Sequence, residues 1–358
     1  MELDELRAEI DEVDWELVQL LNRRAKLSLR VGQVKRHGLA GESSAVDVYQ
    51  PSREAIVLEQ VAGANQGPLP DPSLRAIYRE ILSASRSLQQ PVRVAFLGPT
   101  GTFAYEATVR HFGASTELVP CRTIADVFLE TQRQAANFGV VPIENSTEGA
   151  VTPTHDRFLE TDLLICAQIE LPVTHNLVGT GRLDQISVVY SHPQALAQCR
   201  RWLAEHLPTA TQVDTPSTAA AVQQIRNETT AAIATESAAR LNGVPVLARH
   251  IEDVATNVTR FFVIGQHQAG RTGHDRTAAT FAVENRAGAL SDALKSLAEN
   301  GINLTRIESR PSRRRLWEYV FFVELDGHPD DDNVAHALDD LGRCTSSVRV
   351  LGAWPLES

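Results

Sequence analysis

The chain has 358 residues, 43% hydrophobic and 22% charged, with a net charge of −11. That length fits two or three domains, and the composition excludes disorder. The acidic balance argues against nucleic-acid binding, and no apolar run nears the roughly 18 residues of a membrane span. Cys121, Cys166, Cys199 and Cys344 are too scattered for a C-x-x-C site. They read as reduced thiols of a cytoplasmic protein, and the acidic N-terminus is the reverse of a signal peptide.

Residues 3 to about 37 hold no proline and a single glycine, Gly32. Leu3, Ile10, Leu17, Arg24 and Val31 fall at heptad a positions, and Leu6, Val13, Leu20, Leu27 and Val34 at d. This predicts one long amphipathic helix, on the order of 50 Å, that outruns a small core and pairs with a second chain. After a break at Gly38–Gly41, a second helix starts at Pro51, with Ile56, Val57, Leu58 and Val61 as its apolar face. A third, capped by Asp71, carries the stripe Leu74, Ile77, Tyr78, Ile81, Leu82, Ser85, Leu88 and Gln89. Arg24 interrupts an aliphatic seam and needs an anion. Arg7 and Lys35 flank that seam, Arg53 and Glu54 adjoin on the second helix, and Ser85 and Gln89 share a face of the third. The bundle is therefore expected to turn cations, a carboxylate, a hydroxyl and an amide inward. A buried ion-pair network that sets helix register would use the same residues.

From Val92 short β-rich runs alternate with helical stretches. Expected strands are 92–98, 138–143, 163–171, 186–191, 231–234 and 260–265. They describe an α/β domain with a largely parallel sheet, in two lobes. Several strands run into polar helix starts, with Thr102, Ser191 and Ser217 or Thr218 as caps. Such ends are anion sites when they share a cleft. Residues 266–276 are polar and aperiodic and read as a linker. Residues 277–354 then follow the order βαββαβ, the ferredoxin-like arrangement, with Arg313–Arg315 at a solvated hairpin. No His and carboxylate spacing suits a metal, and no cofactor motif appears.

LRAEID, LLNRRAKL, VGQVK, PSREAIVL and IYREILSASRSLQ, in that order, resemble the all-helical chorismate mutases. The resemblance implies an active site of Arg7, Arg24, Lys35, Arg53, Glu54, Ser85 and Gln89, with Arg7 reaching across from a second subunit. Gln50 stands where some relatives carry Asp and is added as a substrate contact. Chorismate rearrangement is pericyclic and needs no acid, base or nucleophile. It needs a dicarboxylate held in its compact conformer and charge on the breaking ether oxygen stabilised. Arg7 and Arg24 would clamp the carboxylates, Lys35 and Gln89 face the ether oxygen, and Glu54 accept from the ring hydroxyl.

VAFLGPTGTFAYEA, GVVPIENSTEGAV, IELPVTHNLVG, VYSHPQALAQC, AAIATESAARLNGV and IEDVATNVTRFFVIG are similar to prephenate dehydratase. The resemblance implies a two-lobed, periplasmic-binding-protein-like fold, with Thr259 of Thr259-Arg260-Phe261 as the catalytic threonine. Thr102, Asn145, Thr174, Ser191, His192 and Gln194 would line the cleft, with Phe261, and Arg260 would meet a substrate carboxylate. Thr259 is a poor acid and is read as an oriented donor or relay, with Glu144, His175 and His192 as candidate proton sources.

The last unit resembles the ACT regulatory domain appended to such enzymes. Gly288, Ala289 and Leu290, with Ser291 following, and Glu308 and Ser309 of the E-S-R-P run, would hold phenylalanine, together with Asn303 and Leu304. The expectation is thus a multidomain chain: an all-α mutase domain (1–90), an α/β dehydratase domain (91–267) and an α+β ferredoxin-like ACT domain (277–355). It would act on chorismate and prephenate, respond to phenylalanine and form a homodimer or higher homo-oligomer, with no cofactor, metal, nucleic acid or membrane. A dehydratase whose helices only dimerise is the alternative, and a non-catalytic amino-acid sensor is a more distant one.

Overall fold

The computed structural model describes residues 3–38, 49–311 and 319–356. It divides into two compact units, Met1–Arg93 with Phe112–Glu117, and Val94–His111 with Leu118–Ser358. The break expected at Gly38–Gly41 beyond its first residue, and the Arg313–Arg315 run, lie outside the described residues.

The first unit is helical: α1 (Leu3–Gly38), α2 (Pro51–Gly63) and α3 (Asp71–Gln89). The a and d residues of α1, from Leu3 to Val34, are largely exposed in this chain, Val34 at 71% and Ile10 at 59%. Gly32 is the exception in kind: it lets α1 approach α3, since a Cβ there would lie 3.1 Å from Gln89 Cγ. Two expectations for α3 are corrected. Asp71 is its first residue rather than its cap, and its carboxylate accepts from Asn65 Nδ2 at 2.6 Å. Ile77 and Leu88 are exposed, while Ser83 and Arg86 are buried. The cause is that α3 also packs against residues 112–117, where Ser83 meets Gly113 and Arg86 donates to the Phe112 carbonyl at 2.5 Å.

The second unit opens with β1 (Arg93–Leu97), α4 (Phe103–Phe112), β2 (Glu117–Cys121), α5 (Ile124–Gln132), β3 (Phe138–Asn145), β4 (Gly149–Ala150), α6 (Thr152–Phe158) and β5 (Leu164–Pro172). The chain crosses to a second lobe of β6 (Asn176–Gly179), β7 (Val188–Ser191), α7 (Pro193–Gln198), α8 (Arg200–His206), β8 (Thr211–Asp214), α9 (Thr218–Val222), β9 (Thr230–Ala234), α10 (Glu236–Leu241) and β10 (Val246–Ala248). It returns through β11 (Val258–Gly265) and ends in β12 (Asp275–Val283), α11 (Ala289–Glu299), β13 (Leu304–Pro311), β14 (Tyr319–Asp326), α12 (Asp332–Cys344) and β15 (Ser347–Pro355).

The sheets are mixed rather than largely parallel. β1 and β3 are parallel, as are β7, β8 and β9, but β11 runs antiparallel to both β3 and β5. The reason is its origin: β11 comes back from the other lobe and enters the first sheet head to tail. β2, β4, β6, β8 and β10 escape the sequence reading because they are short and carry little β-branched periodicity.

The C-terminal βαββαβ unit has the strand order β13-β14-β12-β15, antiparallel throughout. It is not strung off the α/β domain by a free linker. β15 joins β5 in one continuous sheet, bridged at Gly352 and Ile165. Gly352 has φ +139°, and a Cβ there would lie 2.1 Å from the Ile165 carbonyl oxygen, so only glycine fits. Trp354 is fully buried against Phe262, ring centres 5.0 Å apart.

Candidate active sites

In the helical unit, α1 and α3 bring a polar group together along one line. Arg24 donates to Ser85 Oγ at 2.6 Å, Ser85 Oγ donates to the Ile81 carbonyl, and Gln89 Nε2 donates to Ser28 Oγ at 2.6 Å. Lys35, half-buried, lies three turns of α1 beyond Arg24. Glu54 reaches this unit from α2 and accepts from Arg86, which is buried and stands over the Tyr49 ring. Burial raises the Glu54 pKa against the pull of Arg86. Arg7 is not brought here: it lies about 25 Å along α1 from Arg24 and pairs with Asp4 on the exposed surface. Arg53 and Gln50 are also exposed, so within this chain the inward turn expected of Arg53 is not seen. One turn of α2 cannot face both Glu54 and Arg53 to the same core. Ser28, Arg86 and Tyr49 were missed, and only Arg86, a cation interrupting the apolar face of α3, left a trace in the sequence.

Between the two lobes lies a cavity of about 440 Å³. Its wall gathers the carboxyl ends of strands and the starts of helices, with Thr102, Asn145, His192, Gln194, Thr259 and Phe261 among the lining residues. Thr259 and Asn145 face each other across the β3–β11 pair. Asn145 Nδ2 donates to Thr259 Oγ1 at 2.9 Å and to Asn257 Oδ1 at 2.8 Å. Its Oδ1 accepts from the amides of Thr147 and Glu148 and from Thr147 Oγ1. The amide therefore cannot flip without facing donor to donor. With its oxygen already accepting from Asn145, Thr259 has its own hydrogen to offer to the cavity.

Asn257, 4% exposed, continues the chain of contacts. Its Nδ2 donates to Gln198 Oε1 at 3.5 Å, and His175 Nε2 donates to the same oxygen at 2.8 Å. Burial lowers the His175 pKa, so the ring is neutral, with Nδ1 buried and unpartnered. His192 begins α7 and accepts from the Gln194 amide at its Nδ1.

Four expected positions are corrected. Arg260 points away from the cavity, because successive residues of a strand face opposite sides. It donates to Glu144, Gln168 and Glu324. Glu144 shares that far face and is no proton source for the cavity. Ser191 is fully buried and donates to the Ile233 carbonyl, so His192 rather than Ser191 caps α7. Thr174 lies on the crossing between lobes and does not line the cavity. Thr102 and Ser217 cap as expected, accepting from Tyr105 N and Ala220 N. Arg122, not foreseen, is the single cationic side chain among the described residues lining the cavity.

Three family descriptions match in series: chorismate mutase type II over residues 6–90, prephenate dehydratase over 94–269 and ACT domain over 278–343. A bifunctional chorismate mutase/prephenate dehydratase of Aquifex aeolicus is 42% identical over 99% of this chain and 98% of its own length. The chain belongs to the bifunctional chorismate mutase/prephenate dehydratases. A relative of that name from Stutzerimonas stutzeri is 43% identical over 99% of this chain and 98% of its own. The solved prephenate dehydratase of Arthrobacter aurescens, in complex with L-Phe, is 36% identical with a TM-score of 0.69, over 74% of this chain and 90% of that one.

The ACT domain of this bifunctional enzyme brings only part of its expected set together. Gly288, with φ +85°, Ala289 and Leu290 start α11 just past the end of β12. Val283 pairs with Tyr319, and Tyr319 with Pro311, so Glu308 and Ser309 lie toward the same sheet end. Asn303 and Leu304 lie toward the other end, about 16 Å along the strand from Glu308, and Asn303 Nδ2 donates to Asp326. Among the described residues no helix is long and apolar enough to cross a membrane.

Proposed function

We propose that the chain works in the cytoplasm as a homodimer or higher homo-oligomer under phenylalanine feedback, with domains at 1–90, 91–267 and 277–355. In the mutase, Arg24 and Arg7 of a second copy clamp the two carboxylates of chorismate, and Lys35 and Gln89 face the ether oxygen. Glu54 takes the ring hydroxyl, while Ser85 holds Arg24 and Arg53 and Gln50 close the rim. The exposed apolar seam of α1 supports the pairing of two copies, since a second helix would cover it. A single chain also leaves Arg7 too far from Arg24 to share one substrate.

In the dehydratase, prephenate occupies the cavity between the lobes. Thr259 donates its hydrogen to the departing ring hydroxyl, and Arg122 takes the pyruvyl carboxylate. The ring carboxylate faces Phe103 and Phe261, where loss of water favours release of CO2. His175 and His192 both line the cavity and are the candidate proton sources for the departing hydroxyl, which Thr259 hydrogen-bonds. The observation that carries the reading is the Asn145–Thr259 pair, whose fixed amide leaves the threonine hydrogen free for substrate. Feedback is supported by the ACT domain and by the relative solved with L-Phe. Gly288, Ala289, Leu290, Glu308 and Ser309 hold the amino acid, with Asn303 and Leu304 completing the set from a paired domain.

A coupled assay from chorismate tests the whole. Phenylpyruvate should form, and added phenylalanine should slow its formation cooperatively. Untouched chorismate removes the mutase reading, and unchanged kinetics at saturating phenylalanine removes the feedback.

A further inference from the structure

Behind the Asn145–Thr259 pair, on the face away from the cavity, lies a partly buried cluster of charge built by two domains, in which Glu324 alone is buried. The next rung of the same strand pair is Glu144 and Arg260. The Arg260 guanidinium donates to Glu144 Oε2 at 3.0 Å, to Gln168 Oε1 at 2.7 Å and to both Glu324 oxygens at 2.9 and 2.7 Å. Glu324 belongs to β14 of the ACT domain, its side chain 7% exposed. Arg306, on β13 of the same domain, donates to Glu144, and Arg276 stands 4.0 Å from Glu324. The pairing between β3 and β11 shifts register just past Arg260, so Phe261 meets Pro142 and Ile143 is the extra residue of a bulge. A bulge leaves a strand with fewer ladder bonds, so side-chain anchors decide where its residues sit.

We propose that Glu324 and Arg306, residues of the ACT domain, are positioning residues for the dehydratase, holding Thr259 in place through Arg260 and Glu144. The inference rests on the reading of the cavity as the dehydratase site. Arg260 is the residue between Thr259 and Phe261, both of which line the cavity. Its guanidinium has four acceptor contacts, two of them from Glu324. Taking away that carboxylate leaves Arg260, Arg306 and Arg276 sharing Glu144 and Asp326, and the cations must part or draw in water. Either response moves the rung next to Thr259, and a shift well under 1 Å is felt in kcat because the donor must meet the departing hydroxyl in line.

The test uses the full-length chain with Glu324→Gln, Glu324→Asp, Arg260→Gln and the Glu324→Gln/Arg260→Gln double variant. Each is measured for dehydratase kcat and KM, for mutase turnover and for thermal unfolding. Glu324→Gln should lower dehydratase kcat about tenfold, with KM within about twofold and mutase turnover unchanged. Glu324→Asp should restore about half of the lost rate. Because Glu324 acts through Arg260, the double variant should be no slower than Arg260→Gln alone. Additive losses, or a folded Glu324→Gln protein with kcat within twofold of the parent, overturn the proposal. If Glu324→Gln does not fold, the split between kcat and KM in Glu324→Asp decides: an unchanged kcat overturns the proposal. Thr259→Val, assayed alongside, separates the two readings, because full dehydratase activity in that variant would mean that the cavity itself is misread.

Discussion

Replacing Asn257 by alanine tests whether the dehydratase depends on a held hydroxyl. Asn257 lies outside the residues the sequence nominated, yet it takes one of the two Asn145 hydrogens while Thr259 takes the other. Without it, that hydrogen turns to water, and the net loss in stability is only about 1 kcal/mol. The rate should suffer more. Asn145, still held at Oδ1 by Thr147 and Glu148, loses one of its two Nδ2 anchors and can pivot slightly toward the gap with Thr259, and a misplacement near 1 Å costs up to about a hundredfold. A fall in kcat of about 10- to 100-fold follows, or about 1.4 to 2.7 kcal/mol of transition-state stabilisation, with KM for prephenate within about threefold. Asn257→Asp keeps an acceptor for Asn145 and should return kcat to within about threefold of the parent. Its new charge should raise KM by repelling the dianion. Initial rates of phenylpyruvate formation, with mutase turnover as internal control, give both constants. A kcat unchanged in Asn257→Ala, or a loss confined to KM, refutes the reasoning.

Thr259→Val keeps the shape and removes the hydrogen; dehydratase kcat should fall about 10²- to 10³-fold with mutase turnover intact, and Lys35→Ala should do the converse. If either change abolished both activities in folded protein, the two-site account would be wrong. Arg122→Met should raise KM for prephenate about tenfold while leaving kcat within a few-fold, and an unaltered KM would remove Arg122 from the carboxylate. Arg86→Leu strands Glu54 in a buried position and should destabilise the helical unit by about 3–5 kcal/mol, read from denaturant unfolding followed by circular dichroism. Burial lowers the pKa of His155 and of His175 from 6.5. Below about pH 6.5 the unfolded chain therefore binds protons that the folded one resists, so stability is full above that pH and declines as pH falls. The same decline in pH raises the contribution of Glu54, whose pKa burial pushes up, so the check is a difference: His175→Gln should lose less urea midpoint than the parent between pH 7 and 5.5, and an equal or larger loss contradicts the reasoning.

Much of the site was legible because its signals are local. Arg24 stands out as a guanidinium in an aliphatic heptad seam, and Ser85 and Gln89 share its side of the bundle by helical spacing alone. The strand period by itself opposes one expected contact: Thr259 and Arg260 are neighbours in a strand and cannot both face one cleft. Asn257 and Arg122 left no such mark. Each gains its role from a partner more than 20 residues away or from the wall of a cavity that forms only when two lobes meet.

By itself the sequence determined the three helices of the first unit, the βαββαβ order of the last domain and the caps at Thr102 and Ser217, since propensity, periodicity and capping act over a few residues. Only the tertiary structure decided that β11 returns antiparallel, that β15 joins the sheet of the α/β domain through Gly352, and that Arg260 belongs to a charge cluster shared with the ACT domain. Strand pairing and buried ion pairs are made between segments distant along the chain, and their partners are chosen by packing the whole core at once.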